Sequence, residues 1–361
     1  MSTMKNHHPT SLFSKLLLCL LSGITAGATL ARLGHRFLVA WLPLPVIYGA
    51  SLLLVLAAVI AAGVWHHRDK GREPQKTTLA YWQGVLRYAV ALDLSMFGWQ
   101  KIFHLQFITP LAMLDEPFSS FTGEWLTWSY FGHSYPFVVT VALLQIGGSY
   151  GLLFRRTRLL AIFILMPVMV NIVLIDLFYG LETLVLIHAC IHTTALLYLM
   201  LTERRRLWTF FLNTPAALPA SIRHPGLRNT LRISAMIIPL ILLATYRFPD
   251  HHPHLTGKYT VHNLRINGNT IRNATRQDSV LTDVYLDIAD ECVFTFNSLD
   301  RRAFGHYTFD EATDSLHIAW HYPIPNPPRL RATLTATPGD SLRLNGIIGH
   351  SHITAAIRRV K

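Results

Sequence analysis

Charge is scarce in this chain: Asp, Glu, Lys and Arg make up 14% of its 361 residues, against about 25% in an ordinary soluble domain. A surface facing water needs such residues, so much of the chain is not built to face water. Cysteine is nearly absent. Cys19 and Cys190 lie in apolar stretches and Cys292 stands alone near the C-terminus, with no CxxC pair anywhere. Thiol redox chemistry and a structural zinc site therefore have little support, and the C-terminal part has no second cysteine for an internal disulfide. No P-loop, nucleophile elbow, zincin helix or Rossmann fingerprint occurs, which removes the soluble kinase, hydrolase and dehydrogenase classes.

What the chain has instead is apolar length and basic surplus. Hydrophobic residues reach 51%, the mean hydropathy is +0.32, and the net charge is +12 with a pI near 9.8. Basic excess often marks a nucleic-acid binder, so the position of the charge decides its meaning. Residues 1–250 hold 20 Lys and Arg against 10 Asp and Glu, while 251–361 hold 12 against 10. The surplus lies in the hydrophobic part, which argues for a membrane protein with sorted loops and against a nucleic-acid partner.

A spanning helix needs about 20 mostly apolar residues. Seven runs qualify or come close: Leu16–Leu33, Pro45–Trp65, Leu79–Phe103, Pro136–Phe154, Leu159–Tyr179, Thr183–Leu201 and the short Ile233–Tyr246. Pro167 and Pro239 are expected to kink the fifth and seventh. If the seven alternate, fifteen cations fall on one side: Lys5 and Lys15, Arg68, Lys70, Arg72 and Lys76, Arg155, Arg156 and Arg158, Arg204–Arg206, and Arg223, Arg228 and Arg232. The other side receives only Arg32, Arg36, Lys101 and Arg247, together with Asp115, Glu116, Glu124, Glu182 and Asp250. The positive-inside rule then puts the N-terminus in the cytoplasm and the C-terminal domain outside the bacterial inner membrane. The first run has a rival reading, because Lys5, Lys15, the apolar stretch and Ala26-Gly27-Ala28 also resemble a cleavable signal peptide; an uncleaved span is the preferred reading.

Between the third and fourth spans, Leu111, Leu114, Phe118, Phe121, Trp125 and Trp128 recur at three- and four-residue steps. This predicts an interfacial amphipathic helix with an aromatic belt, or a lid over a site in the outer leaflet. After His251-His252-Pro253-His254 the period changes to two. Short runs from Thr260–Ile266 to Ile353–Ile357 are separated by Asn267-Gly268-Asn269, Asp310–Asp314, Pro323–Pro328 and Pro338-Gly339-Asp340, predicting eight or nine antiparallel strands in a small up-and-down barrel. Such a barrel is either packed with its own side chains or holds one small ligand. The Asn273-Ala274-Thr275 sequon carries no meaning outside a eukaryotic secretory context.

Ionisable groups inside spans mark either helix–helix anchors or function. Span three holds Arg87, Asp93, Gln100 and Lys101; Asp93 lies deep enough to need a partner, whereas Lys101 can snorkel. Span four holds Gln145 with Gly147, Gly148 and Gly151, whose spacing suits close helix packing. Span five has Asn171, Asp176 and Tyr179. Span six has His188 and His192, which at i,i+4 share one helix face. That pair suits interior hydrogen bonds, proton exchange beside a quinone, or a metal or haem; the sequence shows no carboxylate or third ligand beside it, so no metal site is assigned. His251, His252, His254, His350 and His352 read as a solvated linker and a strand face.

Span three, from Arg87-Tyr88 through Gly98-Trp99-Gln100-Lys101, resembles the opening helix of DoxX-like membrane proteins. Ala142-Leu143-Leu144-Gln145-Ile146-Gly147-Gly148, followed by Leu152-Leu153-Phe154-Arg155-Arg156-Thr157, resembles that family's second helix and its basic turn. Asn171-Ile172-Val173 and the His188 helix fit the same unit over about 79–206. The resemblance implies a four-helix membrane bundle and, for some members, quinone-coupled oxidation of sulfur compounds. Gln145 stands where members often carry Glu.

These observations together describe an α-helical polytopic membrane protein, with about seven spans containing a DoxX-like four-helix bundle, followed by a barrel-like antiparallel β-domain. The expected divisions are 1–77 (two spans and a basic loop), 78–206 (the bundle), 207–250 (basic loop and last span) and 251–361 (β-domain). The first functional expectation is a quinone-linked oxidoreductase subunit with a membrane or periplasmic redox partner. Asp93, Lys101, Gln145 and His188 are its catalytic candidates, and Asn171, Asp176, His188 and His192 its cofactor-binding candidates. The second is a non-enzymatic anchor or assembly protein presenting the β-domain, and the third a small-molecule transporter.

Overall fold

The computed structural model describes residues 11–70, 76–114, 116–213, 224–246, 250–271, 280–323, 325, 327–338 and 341–360. Lys5, Arg72, Asp115, Arg223, Arg247, Arg272, the Asn273-Ala274-Thr275 sequon, Ile324, Asn326, Gly339 and Asp340 lie outside the described residues. The chain divides into two compact units, Met1–Ala217 and Leu218–Lys361.

The first unit is helical. Its long helices are α1 (Leu12–Phe37), α2 (Leu44–Arg68), α3 (Lys76–Ile102), α6 (Tyr135–Leu153), α7 (Arg158–Phe178) and α8 (Thr183–Thr202); α4 (Leu111–Leu114), α5 (Gly123–His133) and α9 (Arg204–Trp208) are short. Five of the six long helices meet the length and hydropathy of a membrane span. The exception is α3, which is long enough at 27 residues but carries Lys76, Arg87, Asp93 and Lys101. Asp93 and Lys101 are sheltered by neighbours, because α3 packs against α1, α6 and α8, whereas Lys76 at its start is exposed. With α6 on α7 and α7 on α8, four helices close around a common interior; α1 lies along α3 and α8, and α2 lies along α1.

Small residues set these distances, as expected where lipid gives no hydrophobic drive to helix association. A Cβ added at Gly27 would stand 2.8 Å from the Ser51 carbonyl oxygen of α2, and one at Gly98 would stand 2.5 Å from Ile146 Cγ1 of α6. On α6, an added Cβ at Gly148 would stand 2.7 Å from Leu165 of α7 and one at Gly151 3.0 Å from Ala161, whereas one at Gly147 would meet nothing within 4 Å among the described residues. The packing pair is therefore Gly148 and Gly151. Pro167 lies inside α7 and Pro239 inside α10, and both helices continue through them.

The outer segment does not form one amphipathic helix. It breaks into α4, a 3-10 turn at Phe118–Ser120 and α5, because Pro110 and Pro117 cannot donate to a preceding carbonyl and Thr122 starts a new helix by accepting from the Trp125 amide. Leu111, Leu114 and Phe118 are accordingly exposed. From α5, Trp128 and Phe131 pack on Phe107 at ring distances of 5.2 and 4.7 Å, and Phe131 also meets Phe137 of α6 at 5.8 Å.

The second unit contains α10 (Pro225–Thr245), also of span length and hydropathy, and a β-domain. Its strands are β1 (Gly257–Ile266), β2 (Asn269–Thr270), β3 (Leu281–Leu286), β4 (Glu291–Phe296), β5 (Ser298–Asp310), β6 (Ser315–Tyr322), β7 (Leu330–Thr337), β8 (Ser341–Ile348) and β9 (Ser351–Arg359). All pairings are antiparallel, and β1 pairs with β9 from Tyr259↔Arg359 to Ile266↔Ile353, closing eight strands into an up-and-down barrel. Positive φ at Asn267 and Gly268 makes the tight turn from β1 into β2. Alternate residues point inward: Leu316, Ile318 and Trp320 of β6, and Leu330, Ala332 and Leu334 of β7. With Tyr259, Phe294, Tyr307, Leu344 and Ile357 they form one continuous core. The polar tips are satisfied locally, Tyr259 Oη donating to the Leu255 carbonyl at 2.7 Å and Trp320 Nε1 to that of Pro328 at 3.0 Å.

Candidate functional site

The helical unit buries one cluster of ionisable side chains drawn from three helices. Asp93 of α3 is fully buried. One of its oxygens, Oδ1, accepts from Nε of Arg32 on α1 at 2.7 Å and also meets that guanidinium's Nη2. The other, Oδ2, meets His188 Nε2 and stands 3.0 Å from His192 Nε2, both on α8. The two imidazoles lie side by side, 4.6 Å between centroids, as their spacing on one helix face requires. His192 is fully buried. Its Nδ1 lies 3.0 Å from the His188 carbonyl oxygen.

Phe97, one turn beyond Asp93, holds the cluster's edge. The Arg32 guanidinium sits 4.0 Å over its ring and His188 meets it edge-on at 6.1 Å. A guanidinium stacked on an aromatic face keeps its charge at low desolvation cost. Lys101, another turn along α3, lies 5.8 Å from the Phe97 centroid and 5.5 Å from that of Phe107, under the aromatic cluster of α5. Its Nζ donates to the Phe97 carbonyl at 3.4 Å and meets no carboxylate among the described residues. Lys101 does not snorkel: it is 6% exposed.

The sequence candidates thus separate. Asp93, His188 and His192 come together, and Lys101 lies nearby across Phe97. Gln145 and Asp176 are buried but form no hydrogen bond or ion pair with the cluster, and Gln145 Oε1 and Asp176 Oδ2 have no hydrogen-bond partner among the described residues. Asn171 is exposed on α7. Two site residues escaped sequence reading. Arg32 falls at the last turn of the first expected span and is counted with Arg36 among the outer-side charges, yet α1 runs on to Phe37 and carries it against Asp93; its signal was an Arg still inside the apolar run. Phe97 had no signal beyond its i,i+4 spacing from Asp93 and Lys101.

Several other charges pair away from this cluster. Lys15 of α1 is buried and pairs with Asp69 at 2.6 Å, with Trp65 under its ammonium. In the β-domain His251 meets Asp290 at 2.9 Å, and His252 and His254 approach Glu311 at 3.6 and 4.0 Å. Among the described residues only Asp93, His188 and His192 bring three potential metal-ligating atoms within 4.8 Å of one another. Comparison with known protein-family models, with curated proteins and with solved structures finds no match to this chain.

Proposed function

We propose that this chain is a DoxX-like integral membrane protein that acts as a quinone-linked oxidoreductase subunit in the bacterial cytoplasmic membrane. The observation that carries the reading is the Arg32–Asp93–His188–His192 cluster inside helices of span length. Ionisable groups at membrane depth are costly and persist where they bind or move something. A quinol gives up two protons with its two electrons, and the chemistry needs hydrogen-bonding and basic groups where water is scarce. Imidazole and carboxylate are such groups, and His188, partly exposed at the cluster's rim, is the one a quinone oxygen reaches first. The electrons pass to a membrane or periplasmic redox partner. Seven crossings, with α3 sheltered among its neighbours, support the outward placement of the β-domain through the sorted charge of the loops. Protein purified in mild detergent is expected to carry or bind a quinone, with binding weakened by His188→Gln. Absence of bound quinone, and of any quinone reduction or quinol oxidation by the purified protein, would overturn the reading.

One observation favours a second reading, an anchor that presents the β-domain. The barrel interior is filled by its own residues, among them Tyr259, Phe294, Tyr307 and Trp320, so the domain is suited to display a surface. On that reading Asp93→Asn and His188→Gln, if they fold, leave the cellular phenotype intact, while deletion of 251–361 abolishes it.

A further inference from the structure

The protons of the histidine pair do not add up without a further cation. His192 Nδ1 faces the carbonyl oxygen of His188 at 3.0 Å, and a carbonyl only accepts, so Nδ1 carries the proton. A neutral imidazole then presents the lone pair of Nε2. That atom is buried, has no hydrogen-bond partner among the described residues, and lies 3.0 Å from Asp93 Oδ2, itself a lone-pair donor. Two electron-rich atoms held this close away from water repel unless a positive charge lies between them. His188 Nε2 converges on the same carboxylate oxygen. The three atoms come from α3 and from two successive turns of α8, so the fold fixes their convergence.

We infer that Asp93 Oδ2, His188 Nε2 and His192 Nε2 are a three-ligand site for a divalent first-row transition-metal ion. Two imidazoles and one carboxylate are the donor set of many iron and zinc centres, with positions left open for water or another ligand. Bonds of about 2.1 Å set at octahedral right angles place neighbouring donor atoms about 3.0 Å apart, which is the Asp93–His192 separation; His188 Nε2 sits closer to Oδ2 than that and moves outward when it ligates. The surroundings also match: a metal-bound His usually donates its other ring nitrogen to a carbonyl or carboxylate, and a ligating carboxylate is usually held through its second oxygen. His192 Nδ1 and the Arg32–Oδ1 pair fill these two roles. The charges facing the site are Arg32 from α1, Asp93 and Lys101 from α3, and the two histidines from α8. With an ion bound the positive charge exceeds the negative, so the open positions favour hydroxide or another anionic oxygen donor. The site deepens the quinone-linked reading, but ion binding needs no quinone, so the two are tested separately.

The probe is Co(II), whose visible spectrum reports its ligands, added to the full-length protein in detergent after chelator treatment. Wild type is expected to bind one equivalent that survives the triple change His251→Gln, His252→Gln, His254→Gln, which removes the linker histidines. His192→Gln and His188→Gln are expected to weaken that binding by at least about 10-fold. Should those variants fail to fold, His188→Cys supplies a positive signature: a thiolate-to-cobalt charge-transfer band that wild type lacks. A folded wild type that binds no cobalt beyond the linker histidines would overturn the inference and assign the missing cation to a proton on His192. Equal binding by wild type and by folded His188→Gln and His192→Gln would overturn it as well. Cobalt binding without any quinone affinity would keep the metal site and sink the quinone reading.

Discussion

Arg32 and Asp93, 61 residues apart in sequence, form the ion pair that joins α1 to the four-helix interior. The first helix is thereby part of the site, although the resemblance that frames the bundle starts near residue 79. Asp93 serves as the hub, with Arg32 on one oxygen and two histidines on the other.

Breaking a buried pair from one side leaves the other charge uncompensated, at a cost of about 3–5 kcal/mol. Arg32→Met and Asp93→Asn are each expected to lower stability in detergent by an amount in that range. The double variant is expected to lose less than the sum of the two. A double-mutant cycle on unfolding midpoints measures the coupling, and strict additivity would show that the pair contributes nothing.

Gly98 and Gly147 form a matched test of helix contact. A Cβ at Gly98 has Ile146 Cγ1 at 2.5 Å and the Ala142 carbonyl oxygen at 3.0 Å, while one at Gly147 meets nothing within 4 Å among the described residues. Gly98→Val is expected to force α3 from α6 and cost about 1–3 kcal/mol. Gly147→Ala is expected to be neutral or to stabilise by up to about 1 kcal/mol through helix propensity. Thermal unfolding of the two variants decides it; a large loss for Gly147→Ala would contradict the packing described.

The barrel is expected to weaken in alkali. Burial pushes the Cys292 thiol from its ordinary 9.0 up to about 12, and burial, reinforced by Asp290, pushes the Tyr307 hydroxyl from 10.0 up to about 12. Above about pH 9 the unfolded chain gives up protons that the folded barrel keeps, so unfolding releases protons and stability falls as pH rises. Below about pH 8 both groups hold their protons in the folded and unfolded chain alike and contribute no slope. Alkylation localised to Cys292 by mass spectrometry, followed through a urea titration at pH 8 and at pH 10.5, is expected to show the lower midpoint at the higher pH.

Whether α3 crosses the bilayer fixes the side on which the β-domain lies. With α3 counted, the spans are seven and the two ends of the chain lie on opposite sides; without it they are six and the ends share one side. Alkaline phosphatase fused after Val360 is expected to be active, reporting an extracytoplasmic end. An active green fluorescent protein fusion at the same point, with an inactive phosphatase, would remove α3 from the count.

Much of the barrel was legible in the sequence because a strand's period and its turn residues are local. Asn267-Gly268 and the alternation of Leu316, Ile318 and Trp320 need only their neighbours to be read. The His188–His192 pair was visible for the same reason. The third ligating atom was not, because Asp93 reaches the pair through the packing of α3 on α8, a contact 95 residues long. Arg32 was misread since charge counting treats a cation near a span end as solvated. The outer segment kept its helical spacing on paper, but Pro117 and the Thr122 cap outweighed periodicity. Gly147 fits a small-residue spacing as well as Gly148 does; only the direction of the neighbouring helix separates them.

The pairing of β1 with β9 has a consequence for biogenesis. Tyr259 and Arg359 are neighbours in the closed sheet yet are made 100 residues apart, and synthesis at about 5–20 residues per second separates them by about 5–20 s. Through that interval one edge of β1 has no partner and can template pairing with another chain. The barrel therefore matures only after its last strand is delivered, and a holdase chaperone stationed where the chain emerges would shield that edge until then.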